Sequence, residues 1–142
     1  MAQFYVSLNS LEMATQIANL LNKANRLTVV HTADTILSSP AKYFVEVCEN
    51  KIIGCVGLTK INNNISKAHH GSVLPQYRKK GVGKKLLKLA VIHCETPYIF
   101  GKIREDNIPS LSMSFSVGFK AIQREWNRGH KLILVRRRGG LE

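Results

Sequence analysis

Residues 73–87, Val73-Leu74-Pro75-Gln76-Tyr77-Arg78-Lys79-Lys80-Gly81-Val82-Gly83-Lys84-Lys85-Leu86-Leu87, constrain the fold more than any other stretch. The extended run before them stops at Pro75, which has no N–H to give a strand ladder. A basic loop with two glycines follows. It opens a helical pattern in which Gly83, Leu86, Leu87, Ala90, Val91 and Cys94 make one apolar stripe, with Lys84, Lys85 and Lys88 off it. Strand, tight loop and amphipathic helix in that order require a sheet with a helix packed on it. The N–H groups of such a loop and the positive end of the helix dipole converge on one point, a geometry that suits a phosphate. Gly81 and Gly83 are expected there because a Cβ at either would stand between these donors and a bound pyrophosphate.

The rest of the pattern supplies the sheet. Phe4–Leu8 reads as a strand ending at Asn9, which caps a helix with Glu12 reciprocating; Leu11, Ala14, Ala18 and Leu21 carry that helix to about Lys23. One helical turn at Asp34–Leu37 precedes Pro40. Tyr43–Glu49 and Lys51–Ile61 form a hairpin, and Ile65–Leu74 adds a third strand. Tyr98–Ile103 is a strand, Pro109–Val117 a short helix stopped by Gly118, and Lys120–Trp126 with His130–Arg137 a last hairpin. The fold class is α/β in the mixed α+β sense: a central mixed sheet of about seven strands flanked by helices. Residues 1–138 make one domain, since 142 residues suffice for one core and are short for two. Gly139-Gly140-Leu141-Glu142 reads as an appended tail.

Twenty-one Lys and Arg against nine Asp and Glu give a net charge of +12. Such a balance points to an anionic partner: nucleic acid, an acidic surface or a phosphorylated cofactor. Arg78, Lys79, Lys80, Lys84, Lys85 and Lys88 supply half of the excess, and Arg136, Arg137 and Arg138 a further quarter. A basic nucleic-acid-binding module would use the same charge, but the chain has no recognition motif and no aromatic run interleaved with the basic residues. Cys48, Cys55 and Cys94 are odd in number and lack metal-ligand spacing, so neither a disulfide framework nor a metal site is expected. No apolar run approaches the ~18 residues of a membrane span, and the start does not read as a secretory signal. These features point to a cytoplasmic protein with no membrane partner.

The loop is not a P-loop, because four residues do not separate its glycines and no Ser or Thr follows the lysine. It is not a dinucleotide fingerprint either, since Leu86 stands at the third glycine. What remains is RxxGxG from Arg78 to Gly83, preceded by Pro75 and Tyr77 and followed by a strand, Asn107, a short helix and Gly118-Phe119. This string resembles the acyl-CoA-binding core of the GNAT N-acetyltransferase superfamily, and the order of elements matches from Phe4 to Arg137. The resemblance implies an acetyl-CoA-dependent N-acetyltransferase acting on a primary amine. By it, the pyrophosphate lies on Lys79, Lys80, Gly81, Val82, Gly83 and Lys84 with Arg78 beside them. The pantetheine arm runs along Gly71, Ser72 and Val73 as an added strand would, and Asn107 contacts it. Asn107 is equally a natural helix cap ahead of Pro109.

The same resemblance implies an oxyanion donor at the Val73 amide, a glutamate base on this strand or the next, and a tyrosine acid four residues before Gly118. The chain departs from the last two. Ser114 stands at the tyrosine position, and Lys67 and Lys102 occupy two places where relatives carry Glu. His69 is the expected base and His70 the weaker candidate, because strand alternation sends neighbouring side chains to opposite faces and His69 shares parity with Lys67 and Val73. Ser114 is the expected proton relay, although a thiolate leaves without much help. A CoA-binding protein of this fold without catalysis is the alternative. With nine carboxylates the chain offers a polycationic acceptor little, so an amine on an acidic protein or an aminoacyl-tRNA fits better. Members of the family are often dimers, which makes a second copy of the chain a candidate partner.

Overall fold

In the computed structural model, which describes residues 2–3, 11–24 and 30–140, seven strands form one sheet in the order β1-β2-β3-β4-β5-β7-β6. They are β1 (Ala2–Gln3), β2 (Lys42–Cys48), β3 (Lys51–Lys60), β4 (Ile65–Val73), β5 (Tyr98–Arg104), β6 (Lys120–Asn127) and β7 (His130–Arg138). The α-helices among the described residues are α1 (Leu11–Ala24), α2 (Ala33–Ser38), α3 (Val82–Ile92) and α4 (Ile108–Ser116), and a 3-10 turn spans Pro75–Tyr77. Neighbouring strands are antiparallel except β4 and β5, which run parallel, so the sheet is mixed. The strand expected at Phe4–Leu8 and the cap at Asn9 lie outside the described residues.

Local chemistry explains the corners. Glu49 and Asn50 both take positive φ (51° and 62°), as do Arg128 and Gly129 (51° and 79°), the two-residue turns whose twist matches antiparallel strands. Thr32 and Thr35 cap α2 reciprocally, each side chain accepting from the other's N–H at 3.2 and 2.9 Å. On one face of the sheet Ile17 and Leu21 of α1 pack with Tyr43, Val45, Ile53 and Cys55. On the other, Leu86 and Ala90 of α3 and Leu111 of α4 pack with Phe44, Val56, Ile99 and Val135. Gly139 and Gly140, read above as part of a tail, are bound into the fold. They give their N–H groups to the carbonyls of Pro97 (2.9 Å) and Val91 (2.8 Å), and a Cβ on Gly139 would collide with the Thr96 carbonyl.

Two irregularities shape the middle of the sheet. β4 and β5 pair only through Ile65–Lys67 against Tyr98–Phe100. Gly101 marks the last close approach, since a Cβ there would stand 3.4 Å from the Ala68 carbonyl. Beyond it β4 stays on β3 as far as Val73 and β5 stays on β7 as far as Arg104, leaving a wedge between them.

The second irregularity is a bulge in β4. Gly57 pairs with His69 and Cys55 with Ser72, so His70 and Gly71 together oppose Val56. His70 takes φ +54°, a conformation that costs an ordinary side chain about 1–2 kcal/mol. The extra residue reverses the alternation. His69 lies with Lys67 on the α1 side, whereas Val73 lies on the α3 side, its Cγ2 3.7 Å from where a Cβ on Gly83 would stand. The parity expected between His69 and Val73 is therefore corrected by the bulge. So is the expected divergence of the two histidines: their rings meet edge to face with centroids 4.2 Å apart.

Candidate active site

The wedge ends at the N-terminus of α3. Leu74 gives its N–H to the carbonyl of Ile53 on β3 at 2.9 Å, so by strand alternation Val73 turns its own N–H and C=O away from β3, into the opening. Arg78 then folds back, its Nε donating to the Val73 carbonyl at 3.0 Å. Lys79 (φ +62°) and Gly81 (φ +83°) wind the loop into the helix. The first helical bond runs from Lys85 N–H to the Gly81 carbonyl at 3.0 Å, which leaves the N–H groups of Val82, Gly83 and Lys84 ahead of the ladder. An anion placed there meets donors already aimed.

Each of the two glycines also has a reason within the fold itself. A Cβ on Gly81 would touch no protein atom within 4 Å, and its positive φ is a conformation that glycine adopts without strain. A Cβ on Gly83 would stand 2.9 Å from Met113 Sδ, so this glycine lets α3 lie against α4. The loop's charge also needs correction. Lys85 is paired at 3.1 Å with Glu46, a carboxylate buried on β2. Arg78, Lys79, Lys80, Lys84 and Lys88 stay exposed, with the Lys80 ammonium 5.8 Å from the Tyr77 ring centre.

On the α1 side of β4 a histidine cluster lies beside the wedge. His69 Nε2 and Thr59 Oγ1 share a hydrogen bond of 2.6 Å, and His70 Nδ1 and the Tyr43 hydroxyl one of 2.7 Å. His31 meets His70 edge to face at 4.8 Å, and two hydrogen bonds to the Asn22 side chain hold its backbone there (2.8 and 2.7 Å). Burial first, then charge repulsion with His70, Lys67 and His31, pushes His69 down to about 3. Burial, then His31 and Lys67, push His70 down to about 4. Both rings are therefore uncharged near neutral pH and weak as proton acceptors. Burial pushes the Tyr43 phenol and the Cys55 thiol up to about 12, so both keep their protons.

Asn107 caps α4, its Oδ1 accepting from Ser110 N–H at 3.3 Å. Ser114 is buried in the face of α4 that packs on the α3 side, with Leu111 one turn before it. The structure thus gathers Val73 and Arg78–Lys84 around one opening, and sets His69 and Ser114 on opposite faces of the sheet. Ser72 pairs with Cys55 on the α1 side, and its buried hydroxyl has no hydrogen-bond partner among the described residues. Sequence reasoning passed over His31, Tyr43 and Thr59, which pack into the histidine cluster from three other segments. The one local signal was Gly71 directly after the two histidines, a residue that inside a strand marks bulges.

The family model for the acetyltransferase (GNAT) family matches residues 8–119. The chain belongs to this family. Acetyl transfer from acetyl-CoA is accordingly its reaction, and of the readings left open by the charge the phosphorylated donor prevails. Among solved structures, the chain is similar to a GNAT-family acetyltransferase from Streptococcus pneumoniae (TM-score 0.78, 15% identity, 99% of each chain covered). It is also similar to one from Elizabethkingia anophelis with acetyl-CoA bound (0.69, 17%, 84% of this chain and 88% of that one). A third is the ribosomal-protein-alanine N-acetyltransferase of Brucella melitensis (0.74, 13%, 97% and 99%). At these identities the likeness concerns the fold. A comparison with curated proteins gave no match. No helix among the described residues is long and apolar enough to cross a membrane.

Proposed function

We propose that acetyl-CoA lies in the wedge between β4 and β5, with its phosphates at α3, and that the amine it acetylates is carried on an anionic molecule. The bound donor supplies an activated acyl thioester, and the chain supplies everything that places it. The N–H groups of Val82, Gly83 and Lys84 face the phosphates, and the loop from Lys79 through Gly81 sets their direction. Arg78, Lys79, Lys80 and Lys84 add charge at their exposed positions. Gly71, Ser72 and Val73 present an extended edge to an arm bearing amides. Asn107, already engaged as a cap, stands at the start of α4 for a contact with that arm. The Val73 N–H, turned into the opening, is positioned to hydrogen-bond a carbonyl oxygen as charge develops on it.

For the acceptor, one observation carries the reading. The core on the α1 side ends at β4, so this face of β5, β7 and β6 carries no helix among the described residues. By register it displays Lys102, Arg104, Lys120, Arg136 and Arg138 around half-buried Phe100, Leu132 and Leu134. Among the described residues, Glu125 on β6 is paired with Lys102 and Asp106, just past β5, with Arg104, both at 2.9 Å, which leaves Lys120, Arg136 and Arg138 in excess. Such a face attracts an acidic protein or an aminoacyl-tRNA and repels a polyamine. The two catalytic expectations change weight. His69 serves here as an uncharged hydrogen-bonding group that orients the amine, and Ser114 as a packing residue on the buried face of α4.

Calorimetric titration with acetyl-CoA, in the wild type and in Arg78→Ala, tests the donor site. Micromolar binding that weakens at least several-fold in the variant is the expected result. Absence of binding at saturating acetyl-CoA would remove the site.

A further inference from the structure

From the groups that surround the histidine cluster, we infer that the acceptor is an α-amino group, and not a lysine side chain or a polyamine. The inference rests on the reading that this chain acetylates an amine. An amine attacks only when neutral, so each ammonium must lose a proton before or during the reaction. Among the described residues no carboxylate faces the cluster: α1 and α2, which pack beside it, carry Glu12 and Asp34 at exposed positions, and the titratable groups acting on both rings are His31 and Lys67. β2 contributes the Tyr43 phenol, β3 the Cys55 thiol and the Thr59 hydroxyl, β4 Lys67, His69 and His70, and the segment before α2 His31. Each paired imidazole has one ring nitrogen already engaged, His69 with Thr59 and His70 with Tyr43. Next to the cluster, β5 adds Lys102, β6 adds Glu125 bound to it, and β7 adds Arg136 over the Tyr98 ring at 4.6 Å. Among these groups the only carboxylate is Glu125.

This inventory has a selective consequence. An ammonium entering here meets positive charge and, among the described residues, no carboxylate except Glu125, which Lys102 already holds, so the protein must draw on whatever neutral amine the solution contains. At pH 7.4 a lysine side chain of pKa about 10.4 is neutral in roughly one molecule in a thousand, whereas an α-amine of pKa about 7.7–8.0 is neutral in roughly a fifth to a third. A site without a base therefore favours the α-amine by about 200–300-fold on protonation alone. The depressed basicity of both histidines agrees with this arrangement, since neither retains a proton near neutrality.

The test places both amine types in one vessel. The full chain is incubated at pH 7.4 with isotopically labelled acetyl-CoA, spermidine, and a peptide mixture from an endoproteinase digest rich in Asp and Glu that holds free α-amines and lysines. Label is then mapped by mass spectrometry. Acetylation of α-amines at least about 100-fold above lysine side chains per site is the expected outcome. Label on lysines or spermidine at comparable rates overturns the inference while leaving acetyl transfer intact. Label nowhere, with acetyl-CoA binding retained, overturns acetyl transfer to amines and the inference with it. A pH–rate profile on the best peptide supplies a second reading. The inflection is expected at the peptide's own amine pKa, moving with the peptide and unmoved by His69→Gln. An inflection between 5 and 7 that His69→Gln abolishes would show an enzyme base and overturn the inference.

Discussion

β2 and β3 bury side chains on both faces, whereas β6, at the far edge of the same sheet, leaves nearly all of its side chains in water. The division falls at the wedge. On the β1–β4 side, α1 and α2 cover one face and α3 the other, and Tyr43, Phe44 and Val45 are almost wholly enclosed. On the β5–β7–β6 side one face packs under α4 through Ile99 and Val135, while the opposite face is cationic and open. One half provides the rigidity that holds the Val73 edge and the α3 terminus in place. The other half is free to meet a partner because little of the core depends on its outer side chains.

Truncation breaks or sharpens this contrast most directly. Ile53→Ala in β3 removes enclosed apolar atoms and should cost ~2–5 kcal/mol in urea unfolding, while Leu134→Ala on the open face of β7 should cost under ~1.5 kcal/mol. Equal costs would mean that something covers the open face in solution. Acid should act on the enclosed half next. His69 and His70 sit near 3 and 4 in the folded chain against 6.5 unfolded, so the unfolded chain binds more protons between those values. Their contribution to stability is whole above 6.5 and is lost as the pH falls from there through 4 to 3, by up to ~1 kcal/mol per histidine per pH unit. Thermal melts at pH 7, 5.5 and 4.5 should show the decline, and His69→Gln with His70→Gln should flatten it.

Smaller effects belong to the border and to the open half. Gly81→Ala places a Cβ at φ +83°, costs ~1–2 kcal/mol locally and should weaken acetyl-CoA binding by up to about tenfold in calorimetry. Lys102→Glu should raise KM for an acidic acceptor peptide several-fold at low salt, less at 0.5 M salt, with stability changed by less than ~0.5 kcal/mol. An unchanged KM would detach the open face from acceptor binding.

What could be read from the sequence follows the same border. The loop from Arg78 to Gly83 was legible because a strand end, two glycines and a helical stripe are all encoded within a few residues of one another. The helices and strands from Leu11 onward were legible through their apolar periods. The histidine cluster was not, because its members come from the segment before α2 and from three strands, and only the register of β3 against β4 reveals the extra residue. Glu46 and Lys85 are 39 residues apart, and nothing near either predicts their pairing. The separate reasons for Gly81 and Gly83 depend on a backbone angle and on a sulfur in another helix. The wedge was invisible for a similar reason, since it exists through pairing that stops.

The bulge also bears on how variation at position 70 is read. Its positive φ admits glycine, asparagine, aspartate or histidine far more easily than a β-branched residue. Substitutions to valine or isoleucine there would be removed by selection for backbone reasons alone, whatever the imidazole does. Invariance of His70 among relatives would then record inheritance of a strand shape, and only variation at His69, which the bulge leaves in ordinary extended backbone, would carry information about chemistry.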